Sequence, residues 1–171
     1  MNLIGYSAGT QTVLQTYKHM PDKVKSICEV FGPFMIQMAG GIDEVNTNFC
    51  LIKSTADQYD YFFIGNPTDC TAYIEEASGV ENLVPAQDYE RNGHLFRYSE
   101  IDGTLHQTGN ISGKTIEAIL SFEAAVNEEP TPLSIKDTFW LPQQIFSGIA
   151  CIAMMFFLAS MINLLMQNPF F

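Results

Sequence analysis

Basic residues are scarce in this chain of 171 residues, where 8 Lys and Arg stand against 19 Asp and Glu for a formal net charge of -11. Nucleic-acid binding needs a basic face that displaces counterions from the phosphates, so we expect no nucleic-acid partner. Cysteine is also sparse, and Cys28, Cys50, Cys70 and Cys151 form no CxxC pair, which argues against a zinc ribbon. We interpret the first three as small, buried apolar residues without disulfides.

Charge is missing altogether after Asp137. Within this tail, residues 145–166 read IFSGIACIAMMFFLASMINLLM, interrupted only by two serines and one asparagine. As a helix this run would span roughly 33 Å, enough for a hydrocarbon core of about 30 Å. Phe139 and Trp140 precede it, where interfacial aromatic anchors are expected. The tail therefore predicts a transmembrane helix, single-pass or the first of a longer membrane region, and a lipid bilayer as partner. The alternative is a buried core helix. Because Lys136 is the only basic residue nearby, the sequence does not indicate which side of the membrane the rest of the chain occupies.

The remaining sequence alternates short apolar runs with helical patterns, which indicates α/β organisation. The apolar runs predict strands at residues 2–4, 24–31, 49–54 and 94–101, and helical spacing predicts helices at residues 8–19, 71–77 and 112–126. We accordingly divide the chain into an α/β domain at residues 1–127, a linker at residues 128–138 and a membrane-associated segment at residues 139–171.

One motif carries chemistry: residues 5–9 read GYSAG, a G-x-S-x-G pattern between an apolar strand and a helix-compatible run. In such a nucleophile elbow the serine lies in a tight, strained turn, and the helix that follows favours negative charge at its N-terminus. We expect Gly5 and Gly9 to leave room for the turn and for helix–strand contact. The backbone N–H of Ala8 is expected to face a tetrahedral oxyanion. The motif predicts that Ser7 is a nucleophile.

From residue 1 to about residue 126 the sequence resembles the α/β-hydrolase superfamily, in which the triad follows in the order serine, acid, histidine. The letters TAD, ending at Asp57, follow a buried strand and resemble the acid-bearing turn, with Asp60 as the competing acid. The letters DGTLH, ending at His106, follow the last strand and resemble the histidine loop. The resemblance implies a Ser7–His106–Asp57 triad in a partial α/β-hydrolase fold, with a mostly parallel sheet and flanking helices.

That triad implies a membrane-anchored serine hydrolase that cleaves an ester or related acyl bond, as an esterase, lipase or peptidase-like acyl hydrolase. It requires neither a metal nor an organic cofactor, and the expected substrate is a small-molecule or lipid-like acyl compound. We interpret His19 as a helix cap and His94 as a turn residue. Four aromatic residues are expected to pack in the core, with an acyl pocket as the alternative: Tyr59, Tyr61, Phe62 and Phe63.

The chain departs from the family pattern in what precedes the elbow. A complete α/β-hydrolase has several strands before its elbow, and a loop among them gives the second oxyanion donor, whereas here the elbow begins at residue 5. We therefore expect a fragment or an internal-start product that lacks the N-terminal part of the domain and exposes an unpaired strand edge. The competing hypothesis is a catalytically silent membrane protein that retains the fold for binding or assembly.

Overall fold

A computed structural model of the protein describes residues 1–129 and 140–167. The chain divides into two compact units, Met1–Leu133 and Ser134–Phe171. The predicted linker from residue 130 onwards, the expected anchor Phe139 and the chain end at residues 168–171 lie outside the described residues. The domain boundaries drawn from the sequence stay a prediction.

The first unit is built on one mixed sheet of five strands. The strands are β1 (Asn2–Tyr6), β2 (Ser26–Val30), β3 (Asn48–Ser54), β4 (Asp88–Arg91) and β5 (His94–Ile101). Their order across the sheet is β1-β2-β3-β5-β4. The first four strands in this order pair in parallel, and β4 pairs antiparallel with β5. The predicted α/β class, with a mostly parallel sheet and flanking helices, is confirmed at this level.

The sequence prediction missed strand β4. Asn92 and Gly93 connect it to β5, and both have positive φ, 54° and 77°. This is the backbone that a two-residue type I′ hairpin turn requires, and Asn-Gly is the pair that adopts it most readily. Strand β4 has a polar sequence without an apolar run, so the Asn-Gly turn was the only clear sign of this strand in the sequence. His94, interpreted as a turn residue, is the first residue of β5.

Helices cover both faces of the sheet. Their bounds are α1 (Gly9–His19), α2 (Gln58–Phe63), α3 (Pro67–Ser78) and α4 (Gly113–Val126), with 3-10 turns at Pro21–Lys23, Pro33–Met35 and His106–Ile111. Alternate residues of β3 belong to two separate apolar clusters, because successive strand side chains point to opposite faces. Phe49 and Leu51 pack in the cluster that contains residues of α1 and α3. Cys50 and Ile52 pack in the other, with Phe122 of α4. The fold is therefore a layered α/β/α arrangement.

The cysteines behave as the sequence predicted. Cys28, Cys50 and Cys70 are free and buried, and Cys151 is free and exposed. Cys28 and Cys50 are register partners on the neighbouring parallel strands β2 and β3. Both belong to the cluster under α4, where they act as small apolar core residues.

The second unit contains a single described helix, α5 (Trp140–Met166), of 27 residues. Its N-terminal bound precedes the predicted start at residue 145, and Pro142 lies in its first turn, where a missing backbone N–H costs no intrahelical hydrogen bond. Among the described residues, it is the one helix long and apolar enough to cross a membrane, judged by length and composition alone. The predicted apolar C-terminal helix is thus present.

Candidate active site

The elbow lies at the carboxyl end of β1. Ser7 has a φ of 53°, a left-handed conformation that is rare outside glycine and typical of a strained functional turn. The Ser7 N–H donates to the Val30 carbonyl oxygen at 2.8 Å, and the Thr10 N–H donates to the Ser7 carbonyl oxygen at 3.0 Å. These two bonds fix the turn between β2 and the first turn of α1. The half-buried Ser7 side chain is therefore held at the rim of the sheet.

The two motif glycines are not equivalent. A Cβ at Gly5 would lie 2.9 Å from the backbone of Gly9 and Thr10, closer than real Cβ atoms approach, so the helix requires a glycine there. A Cβ at Gly9 would meet no atom within 4 Å. The expectation that both glycines leave room for helix–strand contact is correct for Gly5 and wrong for Gly9. The reason is that only the strand glycine faces the helix backbone.

Two neighbouring parallel strands bring the acid turn and the histidine loop together. Ser54 and Ile101 are register partners at the carboxyl ends of β3 and β5. Beyond them the Thr55 N–H donates to the Ile101 carbonyl oxygen at 3.0 Å, and the Thr104 N–H donates to Ser54 Oγ at 3.2 Å. These two hydrogen bonds connect the loop after β3 to the loop after β5. Asp57 and His106 belong to these two segments, which the hydrogen bonds hold side by side.

A continuous chain of hydrogen bonds joins the three predicted residues. Asp57 Oδ2 lies 2.7 Å from His106 Nδ1, and His106 Nε2 lies 2.7 Å from Ser7 Oγ. The other carboxylate oxygen of Asp57 accepts the Tyr59 N–H at 2.9 Å as the N-cap of α2. Asp57 is fully buried and His106 is 6% exposed. With Nδ1–H donated to the carboxylate, Nε2 is left to accept the Ser7 hydroxyl proton.

The geometry separates the two candidate acids. Neither of the buried carboxylate oxygens of Asp60 has a hydrogen-bond partner among the described residues, so Asp60 is not hydrogen-bonded to His106. Burial, assisted by the charge of Asp57 and opposed by Lys53, raises the pKa of Asp60 to about 7. Asp57 is thus the acid hydrogen-bonded to the histidine, and Asp60 is a second buried carboxyl behind it.

The Ala8 backbone amide follows Ser7 at the start of α1, at its N-cap. Within residues 1–129 and 140–167, no acceptor is assigned to this N–H. An unsatisfied amide at the positive end of a helix is suited to bind a developing negative charge.

Residues that the sequence prediction did not select complete the site. The Tyr6 hydroxyl donates to the His106 carbonyl oxygen, which anchors the histidine loop to β1. Phe31 has a φ of 55°, and its ring lies 6.2 Å from that of His106. A Cβ at the next residue, Gly32, would lie 2.7 Å from the Ser7 carbonyl oxygen, so the loop after β2 closely approaches the elbow. The only sequence signal for these positions was a strand ending in Phe-Gly-Pro.

A buried carboxyl also supports the elbow from behind. Glu29 is 1% exposed, and its Oε1 accepts the hydroxyl hydrogen of Thr10 in the first turn of α1. Burial raises the pKa of Glu29 well above its usual range, although the Thr10 hydrogen bond opposes the shift. The predicted strand also contains Lys25 and Ser26, so one further polar residue gave Glu29 no distinct signal in the sequence.

The aromatic cluster is exposed, so the expectation that it packs in the core is wrong. Tyr59, Tyr61, Phe62 and Phe63 are 40%, 50%, 80% and 59% exposed. They lie on α2, a short helix that the sequence prediction missed. Its buried side is occupied by Asp60, which leaves the flanking aromatic residues to face outwards.

Comparisons with protein-family models, with curated proteins and with solved structures find no match to this chain. Within the described residues, no three His, Cys, Asp or Glu side chains are grouped so that they would hold a metal ion. The chemistry open to the site therefore follows from its own geometry: a hydroxyl beside an imidazole that a carboxylate orients, with a free amide next to it. This is an arrangement suited to nucleophilic attack on an acyl carbon.

Proposed function

We propose that this protein is a serine hydrolase of the α/β-hydrolase type that cleaves an ester or related acyl bond. The observation that carries the proposal is the hydrogen-bond chain from Asp57 through His106 to Ser7, with both links at 2.7 Å. The strained φ of Ser7 supports it, because such strain is found where function requires it. The order elbow, acid, histidine along parallel strands supports the family assignment.

The proposed reaction has two stages. Ser7 Oγ attacks the substrate carbonyl carbon while His106 Nε2 takes the hydroxyl proton. Asp57 holds the imidazole in the tautomer that accepts this proton and stabilises the imidazolium, and the Ala8 N–H donates to the oxyanion. His106 then gives its proton to the leaving group. Water, deprotonated by the same imidazole, attacks the acyl carbon, the bond from that carbon to Ser7 Oγ breaks, and Oγ takes the proton back from His106 as the carboxylic acid leaves.

Labelling with a fluorophosphonate probe tests the proposal on the full chain in an uncharged detergent. We expect covalent modification of Ser7, and none at that position in Ser7→Ala. His106→Gln removes the base and should slow labelling by about 10³-fold or more. His94→Gln is the matched control, because that histidine lies at the start of β5, away from the triad, and labelling should continue at the wild-type rate. Equal labelling of wild type and Ser7→Ala would overturn the proposal.

We also propose that α5 anchors this hydrolase in a lipid bilayer. Its length and its apolar, charge-free sequence support this role. The acidic character of the rest of the chain disfavours electrostatic attraction to anionic lipid, so the attachment would depend on α5 alone.

One observation favours the alternative of a catalytically silent membrane protein. Within residues 1–129 and 140–167, the elbow strand β1 pairs with β2 on one side and with no strand on the other, and its Ile4 is 54% exposed. A free edge of this kind suits strand pairing with another chain. The two functions differ in turnover: the hydrolase releases product repeatedly from an ester substrate, whereas a silent protein with intact Ser7 geometry releases none.

A further inference from the structure

An aromatic surface, made of one half-buried and three exposed side chains, lies beside the proposed triad. It consists of Phe34, from the 3-10 turn after β2, together with Tyr59, Phe62 and Phe63 of α2, and we term these four residues the aromatic platform. Phe34 and Phe63 stack at 5.1 Å between ring centroids, Phe34 and Tyr59 at 6.0 Å, and Phe62 meets Phe63 edge-on at 4.9 Å. Two segments distant in sequence thus form one continuous apolar surface.

We propose that the aromatic platform binds the apolar acyl chain of the substrate, so that the preferred substrates are uncharged esters with hydrophobic acyl groups. The inference rests on the proposed hydrolase function and specifies the substrate class for the same site.

Position is the first argument. The Tyr59 ring centroid lies 4.5 Å from that of His106, and the Phe34 centroid lies 6.1 Å from it. His106 is the residue hydrogen-bonded to Ser7 Oγ, where the acyl carbon would be attached. An acyl chain on Ser7 therefore begins beside the same imidazole against which the platform packs. The acyl chain can therefore extend from Ser7 onto the aromatic platform.

Exposure is the second argument. Phe62 is 80% exposed and Phe63 is 59% exposed, whereas the core of this unit buries aromatic side chains such as Phe49 and Phe96. Large apolar groups left in water next to a reactive site are typical of a ligand surface. A hydrocarbon chain laid across the platform would remove this surface from water.

Charge is the third argument, and it favours an uncharged acyl compound over an anionic one. The sequence of α2, QYDYFF, contains one charged residue, Asp60, and this residue is buried. The platform therefore presents no cation to a carboxylate or phosphate group. The chain as a whole carries a formal net charge of -11, which further disfavours anionic ligands such as a free fatty acid. An uncharged acyl compound meets neither obstacle.

The kinetic test uses the full chain in phosphatidylcholine nanodiscs, with empty nanodiscs as the blank. Vinyl acetate, vinyl butyrate and vinyl octanoate share one small leaving group and differ only in acyl length. We expect kcat/KM to rise about tenfold from acetate to octanoate, and Phe63→Ala to remove most of this rise. Tyr61→Ala is the matched control, an exposed aromatic residue of the same helix that makes no ring contact with the platform among the described residues, and it should preserve the rise. Equal values for the three esters would overturn the inference.

A binding test separates this inference from the proposed function. Octanamide, an uncharged octanoyl compound, and octanoate are titrated into Ser7→Ala, which cannot react but retains the platform. We expect octanamide to bind about tenfold more tightly than octanoate, and Phe63→Ala in the same background to weaken it. Absence of octanamide binding overturns the inference even if Ser7 is labelled. Octanamide binding without any labelling of wild-type Ser7 overturns the hydrolase and leaves the platform as an apolar ligand site.

The aromatic platform could also contact the lipid bilayer, and the same measurements distinguish lipid contact from substrate binding. If the platform contacts lipid rather than substrate, Phe63→Ala lowers activity on all three esters equally and leaves octanamide binding unchanged. That result would overturn the inference.

Discussion

In the proposed hydrolase, the orientation of one imidazole decides whether Ser7 can react. Asp57 Oδ2 accepts the Nδ1–H of His106, which leaves Nε2 free as a base toward Ser7 Oγ. Asp57→Asn presents an amide donor to Nδ1 and favours the tautomer with the proton on Nε2, so we expect kcat to fall about 10⁴-fold. Asp60→Asn is the paired control, since within the described residues the Asp60 carboxylate forms no hydrogen bond with His106, and it should keep activity of the wild-type order. Equal losses in both variants would contradict the assignment of the acid.

The buried carboxyl of Asp60 makes stability depend on pH. Its pKa is about 7 in the folded chain against an ordinary value of 3.8, so between these values the folded state holds a proton that the unfolded state has lost. The free energy of unfolding therefore falls as pH rises through this window, by about 1.4 kcal/mol per pH unit and roughly 4 kcal/mol in all.

The variant that removes this titration is Asp60→Asn, which stays neutral throughout. We expect it to match wild type near pH 4 and to exceed it increasingly up to pH 8, measured by urea unfolding followed by circular dichroism. Parallel pH profiles for the two proteins would show that Asp60 is ionised in the folded state at all these pH values.

At the scale of elements, the packing of α1 on β1 depends on one glycine. Gly5→Ala places a Cβ 2.9 Å from the backbone of Gly9 and Thr10, which cannot move without displacing the helix, so we expect a loss of about 1–3 kcal/mol in the free energy of unfolding. The matched Gly9→Ala meets no atom within 4 Å and should be neutral or slightly stabilising. Thermal unfolding distinguishes them, and a Gly9→Ala change that costs as much would contradict this account.

The secondary-structure elements also differ in how well the sequence predicts their presence and their bounds. Strands β2, β3 and β5 each contain several buried apolar residues, and their bounds agree with the predicted ones to within about two residues. Strand β4 and helix α2 are short and solvated, so pairing and capping define them rather than an apolar pattern. The same limit explains the error over the aromatic cluster, because a hydrophobic residue type does not reveal which side of a short helix is covered.

The site was more predictable than its surroundings. Ser7, Asp57 and His106 come together because each follows the carboxyl end of a parallel strand, β1, β3 or β5, at the same edge of the sheet. The supporting contacts of Tyr6 and Phe31 depend on loop geometry, which leaves no periodic trace in the sequence.

At the scale of the whole molecule, charge is confined to residues 1–137 and is absent from α5. If α5 spans a bilayer, two lysines near its centre should oppose insertion. Ala153→Lys with Phe156→Lys adds roughly 5–7 kcal/mol at the middle of the helix, so we expect the chain to move into the alkaline-extractable fraction of membranes. Gln167→Lys, just beyond the end of the helix, is the control and should stay membrane-bound. Retention of the double variant would argue against a transmembrane helix.

Alkylation of the buried cysteines, which include the register partners Cys28 and Cys50 of β2 and β3, can report how many molecules have unfolded. A hydrogen bond with Cys50, together with burial, raises the pKa of Cys28 well above its usual range, and burial raises that of Cys70 to about 11. Few thiolates therefore form at Cys28 and Cys70, and burial shields these two thiols and that of Cys50 from an alkylating reagent in the folded chain. In uncharged detergent, iodoacetamide should leave Cys28, Cys50 and Cys70 unmodified in a folded molecule and add three mass increments at these residues in each molecule that opens. The mass spectrum of one sample then gives the ratio of opened to closed molecules without a dye or a ligand.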